Sequence, residues 1–335
     1  MSAVPSVADL LERVPSWMGR AVEWQRLAGG LSHHVYRIDV DRVPYVLRVL
    51  ERRVSEAGLG VAPALEIANT EAAAASVGAQ VYATLPDVPA IVLEFLPGRT
   101  LRAAEVRRPE VIPALALACR KLHAGPRFAN DFDIFEKRRE LLEICRRNEL
   151  PLPAGYLDRA STVDVLRDAL RQRPGRTVPC HNDLLAENFI ATSSGVRIID
   201  YQLSGNNDPA FELGDIAAEA DYDPDLTGRL AEAYFGAELS PALLARVRLF
   251  HIASNVTWAL WFTVHHGLLA ASPADDDAAS RADGNAAARG EETVGFDYAA
   301  EAADKWGQAL RALDDPGFGR LLGTVTGRNP ITPNP

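Results

Sequence analysis

The spacing of apolar and polar positions changes character near residue 96. From Trp24 the stretch WQRLAGGLSHHVYRIDV is strand-like, breaks at Gly29-Gly30, turns at Asp41 to Pro44 and resumes as YVLRVL. This predicts two strands interrupted by a glycine loop, followed by a hairpin. Pro63 to Val77 is rich in alanine and predicts a helix. Gln80 to Thr84 and Ala90 to Phe95 predict two more strands around Pro86-Asp87, and Leu96-Pro97-Gly98-Arg99 ends the strand pattern. An α+β chain is expected: a small antiparallel sheet with one helix in residues 1–96 and a larger, mainly helical region in 97–335. A short amphipathic helix over Val7 to Arg13 leads into the sheet.

Beyond the break, helix is expected from Leu101, and Ala103 to Arg173 reads as mainly helical. In that region VIPALALACRKLHAG forms an apolar helix stopped by Gly125. His123 within it reads as structural. Val178 to Ser204 differs: an apolar entry, a polar loop, then β-prone runs Asn188 to Ala191 and Val196 to Asp200 around Thr192-Ser193-Ser194-Gly195. That is a hairpin pattern. Further helices are expected from near Phe211, over Pro224 to Leu239, over Pro241 to Ala271, and over Phe296 to Leu313. Residues 272–293, SPADDDAASRADGNAAARGEET, are polar and without period, which predicts a disordered insertion. The tail TGRNPITPNP should be irregular.

Composition narrows the function. With 335 residues the chain exceeds one typical core, and 47% hydrophobic with 24% charged residues describes an ordinary folded protein. A net charge of −10 disfavours a nucleic-acid partner and suits a cationic substrate. Cys119, Cys145 and Cys180 have no disulfide or zinc-ligand spacing, as expected of reduced thiols in a cytoplasmic protein. The N-terminus lacks the apolar core of a signal peptide. Leu249 to Ala271 is long, but His251, Ser254, Asn255, His265 and His266 interrupt it and its tryptophans sit mid-segment. It is expected to be a buried helix, with no membrane insertion.

The hairpin after Val178 would return Asp200 beside Asp183 and Asn188. Two acids and an amide suit one divalent cation and one general base; turn formation is the bland alternative for the same residues. The H-x-D-x-x-x-x-N spacing of His181, Asp183 and Asn188, followed by a strand ending in Asp200, resembles the catalytic loop and metal strand of protein-kinase-like phosphotransferases. That likeness implies Asp183 as base, His181 as part of the catalytic loop, and Asn188 and Asp200 as Mg2+ ligands. It also implies a cation on the Tyr45–Leu50 strand, where Arg48 alternates with apolar neighbours and could equally be a surface arginine. Its acidic partner would be Glu66 or Glu71, with Glu66 favoured by its apolar flanks. Gly29 and Gly30 would admit phosphates to close backbone approach, and backbone near Glu94, Phe95 and Leu96 would meet adenine. No Walker A pattern occurs, and Pro63 after Gly58-Leu59-Gly60 disfavours a dinucleotide fold. Glu212, Asp215 and Glu219 share a helical face, which is either solvated or braces the loop and lines a pocket. Trp258 and Trp261, three apart, are either core or a cation–π surface.

Taken together, these stretches resemble the choline/ethanolamine kinase family within the aminoglycoside-phosphotransferase superfamily, over nearly the whole chain. Cys180-His181-Asn182-Asp183 is similar to that family's C-H-N-D loop, where aminoglycoside kinases usually have H-G-D. Leu47-Arg48-Val49 carries arginine where choline kinases do. Ile199-Asp200-Tyr201, Gly205-Asn206-Asn207-Asp208-Pro209, Phe211-Glu212-Leu213-Gly214-Asp215 and Trp258-Ala259-Leu260-Trp261 extend the likeness, as does Leu27 to Ser32 at the glycine loop. The resemblance implies a two-lobed kinase-like fold with ATP and Mg2+ as cofactors. ATP would meet Gly29, Gly30, Ser32, Arg48 and Glu66, and a small cationic alcohol would be held by Glu219, Trp258 and Trp261. Choline or ethanolamine is the expected acceptor; an aminoglycoside, thiamine or other small alcohol, or a catalytically silent binding protein, are the alternatives. Gln202 departs from the family's usual glutamate and His33-His34 from its small polar residues.

Overall fold

The computed structural model describes residues 6–27, 33–85, 88–269 and 296–327. Gly29, Gly30 and Ser32, the Pro86-Asp87 turn, the expected insertion at 272–293 and the tail from residue 328 lie outside the described residues.

The expected N-terminal sheet forms from β1 (Val22–Arg26), β2 (His34–Val40), β3 (Val43–Val49), β4 (Val81–Leu85) and β5 (Ala90–Glu94). Its order is β1-β2-β3-β5-β4, with every pair antiparallel. Because side chains alternate across a strand, β3 sends Leu47 and Val49 to one face and Val46 and Arg48 to the other. The first face packs with Ile38, Val40 and Val92 against Leu10 and Trp17 of the entering segment. On the second, Val46 packs with Ile91, Leu93, Ile67 and Leu96. Arg48 therefore points into the molecule and is 6% exposed, so the surface-arginine alternative does not hold. The Pro63–Ala74 helix, begun by Pro63 at its first position, supplies Glu66 to that face.

The second region is helical, as its pattern predicts: Ile112–His123, Ile134–Arg147, Ala160–Gln172, Pro209–Glu219, Pro224–Phe235, Pro241–Leu268, Tyr298–Leu313 and Phe318–Thr326. The last was not foreseen. Pro209–Glu219 begins earlier than Phe211 because the Asp208 side chain accepts from Ala210 N and Pro209 fits the first turn. It crosses Pro241–Leu268 at Gly214, where a Cβ would lie 2.7 Å from both Val247 O and His251 N. Pro241–Leu268 is buried on all sides from Leu249 to Val264 apart from His251, as a helix enclosed by others must be. Among the described residues no helix is long and apolar enough to cross a membrane.

Two short pairings also escaped the sequence pattern. Val178–Cys180 pairs with Gly205–Asn207, and Gly98–Thr100 pairs with Phe189–Thr192, which forms the predicted hairpin with Gly195–Ile198. Gly98 is glycine because a Cβ there would strike the Ala191 carbonyl. The apolar packing does not divide sharply at residue 96: Val54, Leu59, Ala73 and Val77 belong to the larger helical core. Cys119, Cys145 and Cys180 are buried and unpaired. Burial pushes the Cys145 thiol up to about 11 and the other two well above their ordinary value.

Candidate active site

The loop after Val178–Cys180 is held by acids of the Pro209–Glu219 helix. Glu212 accepts the backbone N–H groups of His181 and Asn182, each at 2.7 Å, and Asp215 Oδ2 accepts that of Leu184 at 3.0 Å. Both acids are fully buried. Of the two accounts of this helix face, the solvated one is therefore excluded for Glu212 and Asp215. Asn182 adopts a left-handed backbone, φ 66°, which asparagine tolerates better than most residues. Its Nδ2 donates to Leu203 O at 3.0 Å and its Oδ1 accepts from Asn207 Nδ2 at 3.0 Å. His123, read from sequence as structural, adds a further brace, with Nδ1 2.6 Å from Tyr234 Oη and Nε2 3.4 Å from Glu212 Oε1. Burial pushes the Glu212 carboxyl up, but His123, His181 and the loop N–H groups hold it below the usual range. The ligand atoms of His123, Cys180 and Glu212 lie within 4.8 Å of one another. With Glu212 already accepting loop N–H groups and the thiol protonated by burial, this trio braces the loop and lacks the free donors of a metal centre.

Asp183, Asn188 and Asp200 are assembled through Ile199. Asn188 Nδ2 donates to Asp183 O at 2.7 Å, and Ile199 N donates to Asn188 O at 3.0 Å. His181 Nε2 donates to Ile199 O at 2.8 Å, which places its proton on that nitrogen. Fully buried, His181 acts on backbone and has no surface to offer a substrate. Burial also lowers its pKa. Asp200 follows directly, in a left-handed conformation with φ 70°.

Arg48 Nη2 donates to Asp200 Oδ1 at 2.7 Å and lies 3.1 Å from Glu66 Oε1. Glu66 is buried and Glu71 exposed, so Glu66 is the partner Arg48 meets. Against the upward push of burial, Arg48 and His33 hold the Asp200 carboxyl below its ordinary value. His33, missed as a site residue, has Nε2 3.3 Å from Glu66 Oε2, and its Nδ1 accepts from Glu51 N at 3.0 Å. Among the described residues Arg48 Nε has no hydrogen-bond partner although it is buried. At the other end of this face, Glu94 N donates to Gln80 O at 2.8 Å, the Arg37 guanidinium sits 4.9 Å from the Phe95 ring centre, and Leu96 closes the apolar patch.

The acceptor side differs most from expectation. Trp258 and Trp261 share a face but are 3% and 7% exposed, so they present no open aromatic cage. Their indole N–H groups turn inward: Trp258 Nε1 donates to Asp215 Oδ1 at 2.7 Å and Trp261 Nε1 to Leu59 O at 2.9 Å. Ser254 Oγ also donates to Asp215 Oδ1, at 2.8 Å. Gln202, which departs from the family's usual glutamate, donates from Nε2 to the same Leu59 carbonyl at 3.1 Å, and its backbone carbonyl accepts from Val61 N at 2.8 Å. Glu219 carries an ion pair with Lys305, Nζ to Oε1 2.9 Å. Lys305 was missed because it lies far along the chain. Its signal was there: it falls on the buried stripe of its helix with Ala302, Trp306 and Ala309, where a lysine needs a partner.

Asp183 keeps part of its surface open. Its carboxyl is pushed well above the usual range by burial and by Asp215, Glu219 and Asp200, with Lys305 opposing. Burial and Glu219 push Asp215 up to about 8, against the three donors it accepts.

A model of the phosphotransferase enzyme family (APH) matches residues 23–250. The chain is similar to the solved choline/ethanolamine kinase family protein of Mesorhizobium loti, 26% identical, with a TM-score of 0.73 over 95% of this chain and 97% of that one. It is 28% identical over 155 residues to protein LicA of Haemophilus influenzae, covering 42% of this chain and 44% of LicA, so the match spans less than half of that relative's length. It is 25% identical over 295 residues to human ethanolamine kinase 2, covering 78% of this chain and 75% of the relative. The chain belongs to the phosphotransferase enzyme family.

Proposed function

We propose that this protein transfers the γ-phosphoryl group of ATP to the hydroxyl of a small cationic amino alcohol, ethanolamine or choline. The observation that carries the acceptor class is charge. Asp183, Asp215 and Glu219 lie together with Lys305 as their near cation, and the first two carboxyls are pushed upward. A cluster short of positive charge binds an ammonium favourably.

Asp183 orients the acceptor hydroxyl and takes its proton; since the transition state of phosphoryl transfer is loose, placement matters more than basicity. Arg48, fixed by Glu66, meets the nucleotide phosphates. Glu94, Phe95 and Leu96 take adenine beside the apolar patch. Residues 1–96 thus form the nucleotide lobe and 97–335 the catalytic and acceptor lobe. The donor set suits Mg2+: a carboxylate at Asp200, and an amide oxygen at Asn188 whose nitrogen is already turned toward Asp183 O. When bound there, the ion supplies neutralisation of phosphate charge. His181 positions Ile199 and hence Asp200. Trp258 fixes Asp215 and Trp261 fixes Leu59, so both shape the acceptor wall from behind. The unpaired buried cysteines suit the reducing cytoplasm.

The test is ADP release with Mg2+ across a panel of acceptors. Turnover of ethanolamine or choline is expected. Rapid turnover of an aminoglycoside or thiamine with both amino alcohols inert would overturn the acceptor, and Asp183→Ala with undiminished turnover would overturn the catalytic assignment.

A further inference from the structure

Lys305 is a buried lysine whose ammonium is placed on the acceptor side of the site. Its side chain comes from the Tyr298–Leu313 helix and is 3% exposed. Nζ donates to Glu219 Oε1 at 2.9 Å and to Ala218 O at 3.1 Å. The helix is anchored against Pro241–Leu268, where Asn255 Nδ2 donates to Gln308 Oε1 at 3.2 Å, and Trp306 Nε1 donates to Ala154 O at 2.8 Å. The carboxylates acting on Lys305 are Glu219, Glu301 and Asp215. An ammonium held this way is a fixed part of the site.

The acids around it are not equally available to a ligand. Asp215 is enclosed by Trp258 Nε1, Ser254 Oγ and Leu184 N. Glu219 keeps 10% of its side-chain surface and, among the described residues, its Oε2 receives no hydrogen bond. A cationic acceptor thus meets a Glu219 whose charge is largely offset by Lys305 but whose second oxygen remains a hydrogen-bond acceptor. A primary ammonium can donate to that oxygen. A trimethylammonium has no N–H to donate and depends on net charge or on open aromatic faces. Trp258 and Trp261 offer little open face.

Resting on the amino-alcohol function proposed above, we infer that Lys305 is a specificity-determining residue, which offsets Glu219 and so favours acceptors with an N–H-bearing ammonium over quaternary ones. The acceptor hydroxyl still goes to Asp183, and Lys305 takes no part in the transfer.

The experiment measures kcat and KM for ethanolamine and choline with the wild type, Lys305→Met, Lys305→Arg and the double variant Glu219→Gln/Lys305→Met. The wild type should favour ethanolamine. Lys305→Met should lower the choline KM and raise the choline-to-ethanolamine ratio of kcat/KM on the order of tenfold, whereas Lys305→Arg should keep the wild-type ratio. Should Lys305→Met fail to fold, the double variant removes both charges of the pair and avoids leaving one buried alone; its selectivity should collapse toward one. A wild type that prefers choline, a folded Lys305→Met with an unchanged ratio, or a double variant retaining the wild-type ratio each overturns the assignment. A wild type that turns over neither alcohol removes the function on which it rests, and the Lys305 role with it.

Discussion

Gln202 shows how one atom can reverse the meaning of a substitution. In sequence it is a missing negative charge near the metal or acceptor. In the folded chain its Nε2 is a donor to the Leu59 carbonyl, which also receives the Trp261 indole. A glutamate has no proton to give at neutral pH and would face that carbonyl oxygen with a charge. Gln202→Glu is therefore expected to destabilise the protein by about 1–3 kcal/mol, measured as a lower midpoint in urea unfolding; equal or greater stability would contradict the donor role. Placement set by local spacing was legible: the convergence of Asp183, Asn188 and Asp200 from the loop and hairpin. The meeting of Arg48 with Glu66 came from the kinase likeness, since strand alternation alone left Arg48 open to a surface reading. Gln202, His33 and Lys305 were not legible, because each takes its meaning from a partner distant in sequence. Asn182 lies between these cases. Its left-handed φ explains why an asparagine stands where related loops carry glycine, the other residue suited to that conformation.

At the level of elements, the longer helices and the five-stranded sheet followed from periodicity, and the Phe318–Thr326 helix and the three-residue strands did not. Gly98–Thr100 and Val178–Cys180 are too short to show a period, and their partners lie at Phe189–Thr192 and Gly205–Asn207. The crossing of Pro209–Glu219 with Pro241–Leu268 was equally invisible, since it depends on Gly214 letting two backbones approach. Gly214→Ala forces a Cβ to 2.7 Å from backbone atoms of the second helix. A loss of about 1–3 kcal/mol in unfolding free energy is expected for such overpacking. Activity should fall further than stability alone explains, because Asp215, Trp258 and the Leu184 N–H are aligned by that crossing. An alanine variant with wild-type stability would show that the helices can separate at little cost.

For the whole molecule, the buried acids divide into two groups with opposite effects of pH. Asp200 and Glu212 are held below their ordinary values, so the stability they contribute is present above the unfolded pKa and lost as pH falls through their folded values. Asp215 is raised to about 8. Its contribution is full below the unfolded value of about 4 and is lost as pH rises toward about 8. Unfolding free energy measured across that window should fall less steeply in Asp215→Asn than in the wild type; identical slopes would show that Asp215 is charged throughout. The three buried thiols carry a different consequence. A thiol reagent attacks thiolate, and burial both hides Cys119, Cys145 and Cys180 and keeps them protonated. The native chain should thus resist alkylation, and slow labelling becomes a clock for opening events. Cys180 immediately precedes the His181–Asp183 loop, so its labelling rate, read by peptide mass, times the release of that loop from the Glu212 brace. Substrate-bound protein should run this clock more slowly at Cys180 than at Cys145, which lies in the Ile134–Arg147 helix.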